Sequence, residues 1–285
     1  MNVLVSGATG FVASHLIPAL DAAGHDVVAV GHDHTRMPGG VTPVVVDLAA
    51  HDWPTLPLVD AVVHLAQANV PFPDGADALF AVNVAATQGL LEHARRSGAR
   101  SFVLASSGSV YGSTEAGTLS EESPLAAQDF YAATKVAAER LTMAYAQQLD
   151  VTILRLFVPY GPGQQRRMLP RLAERIQAGE PIELNRDGRP RMNPVYVDDV
   201  GRVILRALEA EGGAGVLNVA GDEVTDVRAV SELIGDILGH KPVFGTTDRV
   251  ANDIVADTAA LHAFLAGQPL VPLREGLERM VRHQG

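Results

Sequence analysis

The first sixteen residues constrain the fold more than any other stretch. Met1-Asn-Val-Leu-Val-Ser-Gly7-Ala-Thr-Gly10-Phe-Val-Ala13-Ser-His-Leu16 runs from an apolar segment, Val3 to Val5, through glycine into an apolar-periodic segment from about Gly10. A strand that turns on glycine directly into a helix opens a βαβ unit, and this context suits a dinucleotide fingerprint. Gly7 allows the tight turn, and Gly10 lets backbone approach a pyrophosphate at the positive helix end. Ala13 supplies the small position where the helix packs on the strand.

The alternation continues down the chain. Val3–Val5, Val27–Val30, Val44–Val46, Ala61–Leu65, Ser101–Ala105 and Val151–Leu154 read as strands. Their near-continuous hydrophobicity implies burial on both faces, hence a parallel sheet. Ser14–Ala23, Val82–Ser97 and Ala132–Gln148 read as the intervening helices. The fold class is therefore α/β, a doubly wound parallel sheet of the Rossmann type. Beyond Tyr160-Gly-Pro-Gly163 the alternation becomes irregular. A helix is expected over Met168–Ala178, a loop-rich stretch from Glu180 to Pro194, and helices near Asp199–Glu209, Val227–Leu238 and Thr258–Ala266. Residues 1–160 are expected to form the dinucleotide domain, with part of 194–220, and 161–285 a smaller, mostly helical substrate lobe.

A chain of 285 residues can bury a large core. Hydrophobic content of 47% and a mean hydropathy of +0.13 fit a globular protein, and no apolar run has the length of a membrane helix. With no cysteine, disulfides and thiolate chemistry are excluded, and a cytoplasmic setting is expected. The N-terminus enters its first strand at once, so no signal peptide is expected. A net charge of -11 argues against nucleic acid and anionic membranes as partners.

Tyr131-Ala-Ala-Thr-Lys135 puts a phenol and an ammonium one turn apart on one helix face. A phenol ordinarily keeps its proton to about pH 10; a cation beside it favours the phenolate. Such a tyrosine can exchange a proton with a substrate hydroxyl or carbonyl while a nicotinamide exchanges the hydride. Ser107, upstream, would give the same oxygen a second hydrogen bond. The Tyr-Lys spacing alone also suits an ordinary amphipathic helix; the glycine turn before it favours chemistry.

These residues belong to a wider pattern. Gly7-Ala-Thr-Gly10-Phe-Val, Asp47-Leu48, His64-Leu-Ala66, Asn83-Val, Ser106-Ser107-Gly-Ser-Val-Tyr-Gly112, Tyr131-Ala-Ala-Thr-Lys135, Tyr160-Gly-Pro-Gly163 and Tyr196-Val-Asp-Asp-Val200 follow one another over roughly the first 220 residues. In this the chain resembles the extended short-chain dehydrogenases/reductases of the NAD-dependent epimerase/dehydratase type. The resemblance implies Ser107, Tyr131 and Lys135 as catalytic residues, with Lys135 also on the nicotinamide ribose. It implies Gly7, Gly10, Phe11 and Val12 at the pyrophosphate, and Asp47 and Leu48 at the adenine. Leu65 and Ala66 would meet the ribose-phosphate edge, and Phe157 and Val158 the nicotinamide region. Ser106 joins the cofactor set, and Asn83 is expected to order the loop beneath the cofactor, plain helix packing being its alternative. The resemblance also implies a homodimer packed through two helices of each subunit, one of them bearing Tyr131.

The chain departs from that pattern in four places. Where NAD-preferring members end the second strand with an acid, it has Gly31, followed by His32 and Asp33. His32 suits a phosphate and Asp33 opposes one, so NAD and NADP both stay open. Arg155-Leu-Phe-Val158-Pro-Tyr-Gly-Pro162 has valine where nucleotide-sugar epimerases place asparagine on the diphosphate. Met192 takes the place of an expected arginine, with Arg191 one residue away; both, with Ser109, are candidate substrate residues. Gly108 and Ser109 stand where hexose dehydratases carry an Asp-Glu pair, which argues against water elimination.

Other candidates carry less. His32, His34 and His51 with Asp33, Asp47 and Asp52 match no metal-ligand spacing, so no metal is expected. Asp198-Asp199 reads as a helix N-cap. Arg166, Arg167, Arg171 and Arg175 suit either a solvated face or an anionic-substrate patch, and Trp53 falls in a loop. The expected activity is C4 epimerisation of a nucleotide-linked hexose through a 4-keto intermediate. A ketoreductase or dehydrogenase acting on a keto sugar is the alternative, and a non-catalytic dinucleotide-binding regulator a remote one.

Overall fold

A computed structural model describes residues 1–50, 52–112, 117–185, 189–249 and 251–283. Its elements begin with β1 (Asn2–Ser6), α1 (Phe11–Ala22), β2 (Asp26–Gly31), β3 (Thr42–Val45) and β4 (Ala61–His64). A helical run comes next as α2 (Ala76–Phe80), a π-helical turn (Ala81–Ala85) and α3 (Ala86–Ser97). Then come β5 (Ser101–Ser107), a 3-10 turn (Gly108–Tyr111), α4 (Phe130–Ala144), β6 (Asp150–Leu156) and α5 (Met168–Ala178). The remainder is β7 (Pro181–Asn185), β8 (Arg191–Met192), α6 (Val197–Glu209), β9 (Gly215–Val219), β10 (Thr225–Asp226), α7 (Val227–Leu238), β11 (Val243–Thr247), α8 (Ala259–Phe264) and α9 (Leu273–Arg282).

Seven strands form one sheet in the order β3-β2-β1-β4-β5-β6-β9. β1 lies parallel to both β2 and β4, and β2–β3 and β4–β5 are parallel as well. The chain therefore leaves β1 toward one edge and returns past it to β4, a reversal that opens a crevice at the carboxyl ends of the strands. Val3, Leu4, Val5, Val62, Val63, Phe102 and Val103 have no exposed surface, as the apolar runs require. β3 departs from the expected two-sided burial: it is an edge strand, and Val45 is half exposed.

The chain divides into two compact units. One is Met1–Gly112, Pro124–Arg155 and Gly201–Leu217; the other is Ser113–Ser123, Leu156–Val200 and Asn218–Gly285. The core of the first joins the sheet to α3 and α4 through Leu4, Val62, Leu90, Phe102, Ala138 and Ile153. Trp53, in its loop, packs on this core and meets Gly89 of α3, where a Cβ would come within 2.9 Å of the indole. The second unit closes on Leu169, Leu172, Ile176, Ile182, Tyr196, Ile234, Leu277 and Met280.

Helices α5, α7, α8 and α9 make up most of the regular structure of the second unit. Two expectations for it need correction. The stretch from Glu180 to Pro194 read as loop-rich holds two strands: β7 pairs in parallel with β11, and β8 antiparallel with β10. β7 buries only Ile182 and Leu184, and its partner lies far down the chain, so little local signal marks it. Asp198 and Asp199 are not caps. They occupy the first turn of α6, where the helix dipole favours acids, and buried Asp199 accepts a hydrogen bond from Val271 N at 2.9 Å. Among the described residues no helix is long and apolar enough to cross a membrane, and no three His, Asp or Glu converge as metal ligands. His51 lies outside the described residues; Asp33 and Asp47 bond their own turns, to Thr35 and to Ala49 N.

Candidate active site

The glycine turn has the form its residues predict. Gly7 sits at φ 71°, and a Cβ there would lie 2.7 Å from Ala66 N and 2.8 Å from Ala66 Cα. A side chain is thus barred twice, by backbone conformation and by the β4 loop. Gly10 N bonds Gly7 O at 2.8 Å, and Gly10 is the residue from which α1 starts. No side chain caps this helix and no acid stands in its first turn. An uncapped, acid-free helix N-terminus beyond a turn that begins and ends on glycine fits a dinucleotide pyrophosphate. Phe11 and Val12 form that first turn, Phe11 edge-on to His15, and Ala13 is fully buried. At the end of β2, His32 is exposed and Asp33 is half-buried. Asp47 is exposed beside buried Leu48.

The loop after β4 is fastened by buried polar groups. Ala66 N donates to Ser6 Oγ at 3.3 Å, and Ser6 Oγ lies 2.6 Å from His64 Nδ1. His64 Nε2 lies 3.0 Å from Thr87 Oγ1, whose hydroxyl donates to Asn83 O at 2.8 Å. The Thr87 proton is thereby used, so His64 donates from Nε2, and Nδ1 accepts from Ser6. Burial, with the nearby Lys135 charge second, pushes His64 down to about 3, so the ring is neutral. Asn83 is the hub. Its Oδ1 accepts from Ala68 N at 2.8 Å, and its Nδ2 donates to Ala68 O at 3.1 Å and to Thr134 Oγ1 at 3.0 Å. Thr134 in turn donates to Tyr131 O. Asn83 therefore orders the loop and joins it to the helix bearing Tyr131.

Asp129 caps that helix by accepting from Ala132 N at 2.7 Å. Tyr131, Lys135 and Glu139 then recur every four residues on one face. The Tyr131 hydroxyl donates to Gln67 Oε1 at 2.8 Å. Lys135 is 2% exposed and donates to Ala105 O at 2.6 Å. Desolvation pulls it down to about 8, against the pull of the Glu139 charge. Glu139, 3% exposed, bonds Arg155 through Nε at 3.1 Å and Nη2 at 2.8 Å, and accepts from Ser106 Oγ at 2.5 Å. Arg155 also donates to Tyr111 Oη at 2.7 Å. The Ser106 hydroxyl is thus committed to this buried cluster. Ser107 ends β5, half-buried, and its Oγ accepts from Ser109 N at 3.2 Å.

In the second unit, Phe157 is buried, its N bonding Val219 O and its O accepting from Val195 N. Val158 has φ 43°, a conformation rare for a β-branched residue. Met192 is 2% exposed in β8. Arg191 is engaged by the 1%-exposed Asp253, which accepts from Arg191 N at 2.8 Å, Nε at 2.9 Å and Nη2 at 2.7 Å.

Gln67, the Glu139–Arg155 pair and Asp253 are absent from the expectations drawn from sequence. Glu139 has a usable signal in its spacing, one turn past Lys135. Gln67 adjoins His64-Leu-Ala66 but carries no motif of its own. Nothing near Arg191 in sequence announces Asp253.

A turn that begins and ends on glycine, a polar-fastened β4 loop and a Tyr-Lys pair beside the end of β5 fit a dinucleotide enzyme of the extended short-chain dehydrogenase/reductase class. More narrowly, the chain belongs to the NAD dependent epimerase/dehydratase family, whose model matches residues 3–220. It is 30% identical to the UDP-glucose 4-epimerase of Mycolicibacterium smegmatis, over 99% of this chain and 97% of that one. It is also 30% identical to the dTDP-glucose 4,6-dehydratase of Streptomyces griseus, over 98% and 93%. Among solved structures, MoeE5 in complex with UDP-glucuronic acid and NAD superposes with a TM-score of 0.87 at 31% identity, covering 100% of this chain and 99% of that one.

Proposed function

We propose that this protein is an NAD-dependent epimerase that inverts C4 of a UDP-linked hexose or hexuronic acid. The observation that carries the reading is Tyr131 and Lys135 on one face of α4, with Lys135 buried and anchored to Ala105 O. Relatives of equal identity include a 4-epimerase and a 4,6-dehydratase, so likeness alone does not choose between them. Residues do: Gly108 and Ser109 offer no acid or base where dehydratases need both. The sugar nucleotide is taken from MoeE5, which binds UDP-glucuronic acid.

Held on Gly7, Gly10, Phe11 and Val12, NAD would supply a reversible acceptor for the C4 hydride. The chain manages the proton. Tyr131, as phenolate, takes the proton of the C4 hydroxyl as the C4–H bond breaks, leaving a 4-keto sugar. Ser107 hydrogen-bonds the same oxygen. Once the sugar has turned its other face, C4 would regain the hydride on that face while Tyr131 returns the proton, and the inverted product leaves with no net redox change. The Lys135 ammonium favours the phenolate. Leu65, Ala66, Asp47 and Leu48 complete the cofactor site in this proposal, and Ser109 touches the sugar. Residues 161–285 would mainly bind substrate, with 1–160 and part of 194–220 carrying the cofactor. We place the protein in the cytoplasm, as a homodimer.

Ketoreduction of a keto sugar is the second reading, favoured by one observation: Met192, in the place of an expected arginine, is buried and its neighbour Arg191 is paired with Asp253, which leaves that expected contact unfilled. The deciding experiment is incubation of purified protein, its NAD content measured after acid release, with UDP-glucose and UDP-glucuronic acid. Epimerisation predicts bound NAD and the C4 epimer without added cofactor, with Tyr131→Phe losing roughly a hundredfold or more in kcat. A protein that purifies empty and consumes added NADH or NADPH with a keto sugar is a reductase.

A further inference from the structure

We infer that Gln67 is a positioning residue that acts through Tyr131: it holds the phenol proton of Tyr131 while no sugar is bound, and the substrate hydroxyl displaces it. This rests on Tyr131 as the acid/base of the proposed reaction.

The geometry carries the inference. Gln67 Oε1 accepts from the Tyr131 hydroxyl at 2.8 Å, a normal length for such a bond. Gln67 itself is exposed, so burial does not force it onto the phenol. It is held there by its neighbours. Ala66 N is tied to Ser6 Oγ, and both polar groups of the Ala68 backbone are tied to Asn83. Asn83 also reaches Thr134, which bonds Tyr131 O, so one amide fixes the loop and the start of α4 together. A surface glutamine is thereby presented to the phenol by an ordered backbone.

The chemistry of an amide limits what Gln67 can do. Its carbonyl oxygen accepts a hydrogen bond but takes no proton, so it is no relay base. A hydrogen bond accepted from the neutral phenol stabilises that form against phenolate. Gln67 therefore keeps Tyr131 protonated in the sugar-free site. Once the C4 hydroxyl arrives, the Tyr131 oxygen turns to it and its phenol proton leaves to solvent, so the phenolate forms in the complex and Gln67 no longer sets the proton equilibrium. The effect belongs to free enzyme and is absent from the complex. The acid limb of kcat/KM reports the first, and that of kcat the second.

Two substitutions separate the signs. Gln67→Leu removes the acceptor; Gln67→Glu replaces it with an anion, a stronger acceptor that opposes phenolate. In NAD-loaded protein without sugar, the phenolate absorbance of Tyr131, isolated by difference against Tyr131→Phe, gives a readout independent of turnover. We expect its midpoint to fall by about one pH unit in Gln67→Leu and to rise in Gln67→Glu. With UDP-glucuronic acid as probe, the acid limb of kcat/KM follows both shifts while that of kcat stays in place. Midpoints that do not move, or that move the same way in both variants, overturn the assignment. Failure of the proposed reaction looks different: Tyr131→Phe would then keep its turnover, whatever the Gln67 variants do to the titration.

Discussion

Single residues in this chain are pressed by backbone and charge in ways that composition conceals. Val158 is the clearest. Its φ of 43° lies in the left-handed region, where a β-branched residue costs about 1–2 kcal/mol. Asparagine tolerates that region. Val158→Asn is therefore expected to raise stability by about 1 kcal/mol in urea unfolding; an unchanged or lower midpoint would count against strain at this position. At Asp33 the pressure is one of charge. Its carboxylate is bound by Thr35, which fixes a negative group just past the end of β2. An anion there opposes the extra phosphate of NADP, so Asp33→Asn should shift the NADP-to-NAD affinity ratio upward about fivefold, read by equilibrium binding of each cofactor.

Elements come together through buried charge as much as through apolar packing. α4, β5 and β6 meet where Glu139 is shared by Arg155 and Ser106, with Lys135 one turn away. Glu139→Gln would leave the buried Arg155 without its counter-charge, a loss of about 3–5 kcal/mol by denaturant unfolding, whereas breaking a solvent-screened surface pair such as Arg95–Glu92 should cost far less. Lys135 adds a pH dependence. Its pKa in the folded chain, about 8, lies below the ordinary 10.5, so between those values the folded state binds fewer protons than the unfolded. Stability should then rise with pH from about 8 to 10.5, and Lys135→Met should flatten that rise. Much of this layer is legible in the sequence. The glycine turn, the central strands and the Tyr-Lys spacing are local patterns that the fold preserves. Gln67, Asp253 and the partners of β7 and β8 are not legible, because each acts on a residue brought near only by the fold, with no periodicity to betray it. Val158 stands out in sequence as a missing amide; its positive φ, a backbone property, has no sequence signature.

For the whole molecule, the proposed homodimer is the property with most at stake. Phe80 of α2 is 56% exposed and Met143 of α4 is 41% exposed, which gives the proposed interface apolar side chains to bury. Phe80→Glu with Met143→Glu should turn a dimer into a monomer in analytical ultracentrifugation; a wild-type chain that sediments as a monomer would remove the dimer from the proposal. The π-helical turn Ala81–Ala85 bears on this. An α-helix advances about 100° per residue, so one residue more in a turn offsets the phase of everything before it against everything after it. Ahead of the turn lies Phe80, facing outward; after it lies Thr87, pointing inward to His64. Excising one residue to make the rod regular would swing one of the two by roughly a quarter-turn. A single surplus residue thus allows one continuous helix to serve an outer surface and an inner one whose spacings are incommensurate.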